Sequence, residues 1–503
     1  MASIDLGTTF TKQAYVDPTG KPVMVTNQRG DQSTPSVLLY SPDGDVLVGK
    51  DAAEQAYLTP ELCVRHFKLL LGSPENLLAN GRHVTAEDAA ATLLGHVRED
   101  MERQLGCQVT ECVATCPANF RDDQKQALLG ACKKAGITVL KLVSEPVAAG
   151  IAYSLDKAAD HTHLIVDCGG GTTDVAVQRV EGSQITTLAT EGIPKLGGQD
   201  FNACLARRVL EAVEQQCQVR PTPKDDPLFF YDVEQRVEAA KVSLSKRPEV
   251  PIVIAYKGTQ VIVKVTQKEF QQDVAPLIQQ CLDAVDRAVA GAGLTLDKID
   301  RLILVGGTSR MQCFQERLAD HTRMVPKTDV DPEKAIAYGA ALAYVAEKTR
   351  RGEPVYVHGR VIPDSGIVAK DVTAHAIGCC VVDKSGPQKR LIHSVIIRKN
   401  TPIPCQKTDR FFLEHEDQTE AHVEILQGEP EAERDDCLLI GELNLTNLPV
   451  EPRRTQRIQV EYSVDANGMV TATATDTVSG QQQTVSIDHK KLLKPKDRLP
   501  SAV

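Results

Sequence analysis

Two short stretches of this chain have residue types suited to gripping a phosphate chain. Val166-Asp167-Cys168-Gly169-Gly170-Gly171-Thr172-Thr173-Asp174 sets three consecutive glycines between two aspartates. Glycines let backbone N–H groups approach an anion with no Cβ in the way. The aspartates can hold a hydrated cation or orient a water. A glycine hairpin capped by aspartates has the same composition, so this stretch alone leaves both readings open. Near the start of the chain, Ile4-Asp5-Leu6-Gly7-Thr8-Thr9 repeats the grammar: apolar strand, Asp, Gly turn, hydroxyls. Two such loops, each followed by strands and then helices, suggest a duplicated α/β domain. Its two loops would face each other across a cleft and give two grips on one nucleotide.

Further stretches fit such a cleft. Gly197-Gly198-Gln199-Asp200 opens a helix expected from Asp200 to about Gln216. A helix over Val233–Leu244 places Glu238, Lys241 and Ser245 on one face. The strand Leu302–Val305 leads into Gly306-Gly307-Thr308-Ser309-Arg310, a third glycine turn able to close over the nucleoside end. Other helices are expected over 86–104, 122–135, from Glu145-Pro146 to about Leu155, and over 270–290, with a hairpin turning at Lys257-Gly258. After Arg350-Arg351-Gly352-Glu353-Pro354 the pattern changes to short alternating strands from Val372 to Ile487, with a strong hairpin turn at Asp465-Ala466-Asn467-Gly468. The tail from Lys490 is short, basic and expected to be disordered.

At 503 residues the chain is too long for one ordinary core and is expected to form several domains. The net charge of −10 argues against general nucleic-acid or anionic-membrane binding. Absence of Trp and 4% aromatics argue against base-stacking platforms. No apolar run approaches a membrane span, and the N-terminal motif begins too early for a signal peptide. The 14 cysteines are scattered, without paired zinc-ribbon spacing, and most read as small core residues. A reduced, cytoplasmic protein follows as the expectation. His161 and His163 flank a strand start and read as an exposed strand end, not a metal site.

Five ordered motifs resemble the signatures of the heat-shock protein 70 (DnaK-type) chaperones: Ile4 to Thr9, Ser144-Glu145-Pro146-Val147-Ala148-Ala149, Val166 to Asp174, Leu196 to Phe201, and Leu304 to Arg310. Lys399-Asn400-Thr401-Pro402-Ile403-Pro404 and Ile425-Leu426-Gln427-Gly428-Glu429 continue the resemblance into the β-rich part. It implies an α/β actin-like (duplicated ribonuclease-H-like) ATPase domain over 1–350, a linker over 351–371, an all-β sandwich peptide-binding domain over 372–489 and a tail over 490–503 with no helical lid. It implies ATP or ADP with Mg²⁺, and K⁺ as a further ion. Asp5 and Asp167 would sit near Mg²⁺ through its waters. Gly7, Thr8, Thr9, Gly169, Gly170, Gly171, Gly197 and Gly198 would hold phosphates. Lys68 would reach the γ-phosphate and the attacking water, which Glu145, Thr172 and Asp174 would orient. Glu238, Lys241 and Ser245 would grip the adenosine, with Gly306, Gly307 and Arg310 opposite. Phe411, Ala421 and Val423 would line a central peptide pocket, Cys379 and Val382 the opposite loop, and Glu414 an arch over the peptide. Some of these alternating residues also read as plain sandwich core. Implied partners are extended apolar peptides, a J-domain co-chaperone and a nucleotide exchange factor; nucleic acid and membrane are not among them, and a monomer is expected.

The chain departs from that family's pattern in four places. The lobe between Lys68 and Ala86 is short. Asn119 replaces a Tyr and Lys125 an Arg at positions that relay peptide binding to hydrolysis. The linker, Gly366-Ile367-Val368-Ala369-Lys370-Asp371-Val372, interrupts an apolar run, which removes on the order of 1–3 kcal/mol of docking area. The chain ends soon after the sandwich, so unhindered peptide exchange is expected. Two rivals remain: a scaffold that binds nucleotide with little turnover, and a small-molecule kinase of the same superfamily. A kinase would need an acceptor pocket and would have no use for the β-domain.

Overall fold

The structure is a computed structural model that describes residues 2–78, 82–154, 160–327, 329–383, 388–415, 417–450 and 455–486. The tail from 490 onward lies outside the described residues. The chain divides into two units. The first comprises Met1–Asn119 and Leu128–Ala369, the second Phe120–Ala127 and the chain from Lys370 on.

The first unit contains two sheets with a common strand order. In one, β1 (Ala2–Asp5) lies centrally, antiparallel to β2 (Phe10–Val16), which pairs with Pro22–Met24. On its other side β1 runs parallel to Glu111–Cys116, which runs parallel to Thr138–Ser144. In the other, β3 (His161–Cys168) is antiparallel to β4 (Thr173–Glu181), which pairs with Gln184–Ile193. On its far side β3 runs parallel to Arg301–Val305. Three antiparallel strands followed by a parallel neighbour thus occur twice, which is the duplication read from the two glycine loops. Central strands covered on both faces carry near-continuous apolar runs. Every residue of β3 is buried, His161 and His163 included. These histidines are therefore interior residues, not an exposed strand end; their ring centroids lie 4.3 Å apart.

Three helices position the chemistry. α1 (Glu145–Tyr153) has Pro at its first turn and is buried along its whole length. It packs on the helix Ala335–Arg350 so closely that a Cβ on Gly339 would stand 1.7 Å from the Ala148 carbonyl oxygen. α2 (Gly198–Cys217) is capped by the Asp200 carboxylate, which accepts from Gly197 N–H at 2.8 Å. α3 (Pro227–Leu244) starts earlier than the apolar spacing suggests. Pro227 sits in its first turn, where a missing N–H costs nothing, and so lengthens the helix it seemed to precede.

The linker contains a short strand that the sequence did not suggest. Val368–Lys370 forms a strand on the open edge of Gln184–Ile193, and Val368 N–H donates to Ser183 O at 3.0 Å. Ile367 is buried beside it, whereas Val368 is largely exposed. Backbone pairing therefore adds to the burial of Ile367, while Val368 and Lys370 stay exposed, so the strand buries little apolar side-chain area.

The second unit is a β-sandwich. One sheet has the order Arg390–Ile397, Ala376–Asp383, Ala421–Gly428, Leu438–Leu445, and the other Cys405–Phe411, Ile458–Val464, Val470–Asp476, Gln482–Ser486. Alternating residues of both sheets, including Ile425, Leu443, Val460 and Tyr462, fill the core. Inside it, Arg457 grips Asp476 through two bonds of 2.6 and 2.7 Å.

Candidate nucleotide site

The two glycine turns meet face to face because the glycines of one leave room for the threonine side chains of the other. A Cβ on Gly7 would lie 2.1 Å from Phe10 O, so the turn after β1 closes only with glycine. Gly169 N–H donates to Thr172 O at 3.0 Å and closes the β3–β4 hairpin. A Cβ on Gly170 would stand 2.2 Å from Thr9 Oγ1, and one on Gly171 would stand 3.0 Å from Thr8 Cγ2. The hydroxyl-bearing turn of one half thus faces the glycine turn of the other, as the repeated motif predicts.

Gly197 and Gly198 lie against this hairpin. Gly198 N–H donates to Gly169 O and Gln199 N–H to Gly170 O, each at 2.9 Å. The first amides of α2 thereby fix the glycine loop in place. Lys241 Nζ, buried on α3, donates to Gly198 O at 3.2 Å and to Glu238 Oε2 at 2.8 Å. Asn202 donates to the same Glu238 oxygen at 2.7 Å. Ser245 is half-buried at the C-terminal end of α3. The third turn completes the enclosure. Gly306 adopts φ 83°, and a Cβ there would stand 2.4 Å from Cys168 O. Thr308 Oγ1 donates to Gly169 O at 2.7 Å. Half-exposed Arg310 pairs with Asp331 at 2.6 Å and Glu333 at 3.3 Å, and Gly307 lies beside Glu333.

Beneath the loops, Asp5, Glu145, Asp167 and Asp174 are all buried, with exposures of 5%, 5%, 4% and 1%. Lys68, equally buried, bonds Glu145 Oε1 at 2.6 Å. Thr115 Oγ1 donates to Asp5 Oδ1 at 3.0 Å, and Asn119 N–H to Asp174 Oδ1 at 3.3 Å. Among the described residues, Asp174 Oδ2 has no hydrogen-bond partner. Burial raises the Asp174 carboxyl to about 8, with Glu145 adding to the rise. Asp167 is raised well above its ordinary range by burial and by the facing carboxylates Glu145, Asp174 and Asp5. Burial lifts Glu145 as well, against the pull of Lys68. For Lys68, burial works downward, and Glu145, Asp5 and Asp167 outweigh it, so the net shift is upward.

Four converging carboxylates with one paired ammonium, and an orphaned carboxylate oxygen among them, fit a hydrated divalent cation. The facing turns above, with their glycines and threonine hydroxyls, fit a phosphate chain. Lys68, Glu145, Asp167, Asp174 and Asp5 thus form one cluster. Thr172 is buried at the mouth of the same hairpin.

Sequence reasoning missed several supports. Thr308 was legible as a hydroxyl in the third glycine turn, and Thr115 as a residue of the strand beside β1. His66 carried no signal. It takes a left-handed φ of 58° two residues before Lys68, contacts Glu234 at 2.8 Å through Nε2 and meets Gln199 through Nδ1. Arg65 joins the same Glu234 at 2.8 Å.

The proposed peptide residues divide. Cys379, Ala421 and Val423 are buried in the sandwich core, and Phe411 is half-buried against it. Val382 is half-buried near the end of its strand. Glu414 forms an ion pair with Lys389 at 2.8 Å.

Residues 1–499 match the family model described as Hsp70 protein.

Proposed function

Because the chain belongs to the Hsp70 family, whose members are chaperones and generally ATPases, we propose that it is an ATP-driven chaperone. In this reading residues 1–350 form an actin-like ATPase domain and 372–489 bind extended apolar peptide segments, with nucleotide state setting peptide affinity. The observation that carries the reading is the cluster of Asp5, Glu145, Asp167 and Asp174 around Lys68, directly beneath the facing glycine and threonine turns.

The residues divide the work of phosphoryl transfer to water, which needs positioning and charge more than covalent chemistry. Thr8, Thr9 and the Gly169–Gly171 backbone hold the phosphates. Lys68, fixed by Glu145, directs positive charge at the terminal phosphate. Glu145, Thr172 and Asp174 orient the water. Mg²⁺, held through its waters by Asp5 and Asp167, would supply charge neutralisation. Glu238, Lys241 and Asn202 form the polar side of an adenosine site. Reciprocity of coupled binding requires peptide to change nucleotide affinity by the factor that nucleotide changes peptide affinity.

Single-turnover cleavage of ATP by the full chain tests this. The Lys68→Ala variant should retain ATP binding and lose cleavage by about 10²-fold or more. Unchanged cleavage would remove Lys68 from the mechanism, and no cleavage by the unaltered chain would favour a nucleotide-binding scaffold.

A further inference from the structure

Lys12 lies in the same strand pair as Asp5, and the roles assigned above leave it unused. β1 and β2 are antiparallel, and Lys12 is the direct register partner of Asp5. Directly opposed residues project from one face of a sheet, with Cβ atoms about 4.5–5.5 Å apart. Lys12 therefore emerges beside the carboxylate cluster. Its charge acts on that cluster: burial raises the Glu145 carboxyl, Lys68 opposes the rise most strongly, and Lys12 opposes it as well.

Lys12 nonetheless completes no pair there. Asp5 takes its hydrogen bond from Thr115, and Glu145 takes its ion pair from Lys68. Among the described residues, Lys12 has no hydrogen-bond or ion-pair partner and is half-buried. It follows Thr8 and Thr9 by four and three positions, just past the turn that faces Gly170 and Gly171. A lysine is a point charge on a flexible four-carbon stem, so its ammonium can swing to an incoming anion without moving the backbone. A partnerless ammonium at the foot of a phosphate cradle has an obvious counter-charge.

We propose that Lys12 is a second phosphate-binding ammonium, which pairs with the polyphosphate chain when nucleotide enters the cleft. This rests on the nucleotide reading of the site. It adds a residue that neither the glycine motifs nor the Lys68 cluster requires. The competing role is structural: Lys12 as a neutraliser of Asp5 and Glu145 that never touches ligand.

Calorimetric titration of the full chain with ATP, ADP and adenosine distinguishes the two, in Mg²⁺ and in EDTA. Charge-assisted hydrogen bonds have the strength to change ATP and ADP affinity about 10- to 100-fold in Lys12→Met. Adenosine affinity should stay within about twofold, and Lys12→Arg should recover most of the loss. The loss should persist in EDTA, and the melting temperature of the ligand-free variant should match that of the unaltered chain. The proposal is overturned if Lys12→Met binds ATP as tightly as the unaltered chain, or if adenosine weakens as much as ATP. A deficit that vanishes in EDTA, or one accompanied by ligand-free destabilisation and not recovered by arginine, also overturns it in favour of the neutraliser. An unaltered chain that binds no ATP would overturn the proposed function together with this inference. ATP binding unaffected by the substitution would overturn this inference alone.

Discussion

Acidification should unfold this protein partly through one histidine. His163 is fully buried in β3, and among the described residues neither ring nitrogen has a hydrogen-bond partner. Burial pushes its pKa down to about 3, with His161 and Arg301 adding to the fall. In the unfolded chain the ring titrates near 6.5. The folded state therefore refuses a proton that the unfolded state accepts. Above pH 6.5 both states hold the ring neutral and stability is independent of its titration, but it drains away as pH falls from 6.5 towards 3. By linkage the loss is about 2 kcal/mol at pH 5 and approaches ~5 kcal/mol below pH 3. His163→Leu removes the titrating group together with an unsatisfied buried N–H. Urea unfolding of both proteins between pH 7.5 and 5 gives the difference, in which contributions common to the two cancel. The unaltered chain should lose about 2 kcal/mol more than the variant over that interval. Imidazole resonances of the 12 histidines supply a direct check, since that of His163 should remain neutral through pH 5. Equal pH slopes for the two proteins, or a full set of histidines titrating near 6.5, would refute the reasoning.

Other substitutions test the frame around the site. Gly339→Ala places a methyl 1.7 Å from the Ala148 carbonyl oxygen, a backbone atom that cannot step aside. It should cost ~3 kcal/mol or more, visible as a lower melting temperature, and should weaken ATP binding because α1 carries Glu145. Asp476→Ala strands the buried Arg457 guanidinium and should cost about 3–5 kcal/mol in urea unfolding. Arg457 holds the Asp476 carboxyl well below the usual carboxylate range, so its stabilising contribution is present above the unfolded value and lost as pH falls below it. Val368→Pro deletes the N–H that donates to Ser183 and should raise amide exchange along 184–193 without altering ATP affinity.

What the sequence disclosed depended on whether a residue's type or its surroundings decided its place. Gly7, Gly170 and Gly306 were legible because only glycine tolerates those contacts, and the aspartates beside them were legible because they recur. The hairpin turn at Lys257-Gly258 was readable for a different reason: glycine favours the positive φ that the turn requires. His161 and His163 were not readable. Polarity points outward, and only the sheet order shows β3 to be covered on both faces. Pro227 was read as loop because prolines at 221, 223 and 227 crowd together, although the last suits a helix start. Lys12 looks like any strand lysine until the register sets it opposite Asp5. The edge pairing of the linker was not legible because it draws on backbone groups, which every residue but proline possesses.

That last feature has a consequence for solution behaviour. The strand Gln184–Ile193 would otherwise present a bare row of N–H and C=O groups, a template on which foreign strands can add. Val368–Lys370 occupies that template with the protein's own chain, and the exposed Lys370 sets a charge at its end. Whatever lifts the linker also opens a sticky margin on the first unit. Linker release and self-association are then two readings of one equilibrium. The concentration dependence of light scattering becomes a gauge of how often the strand lets go.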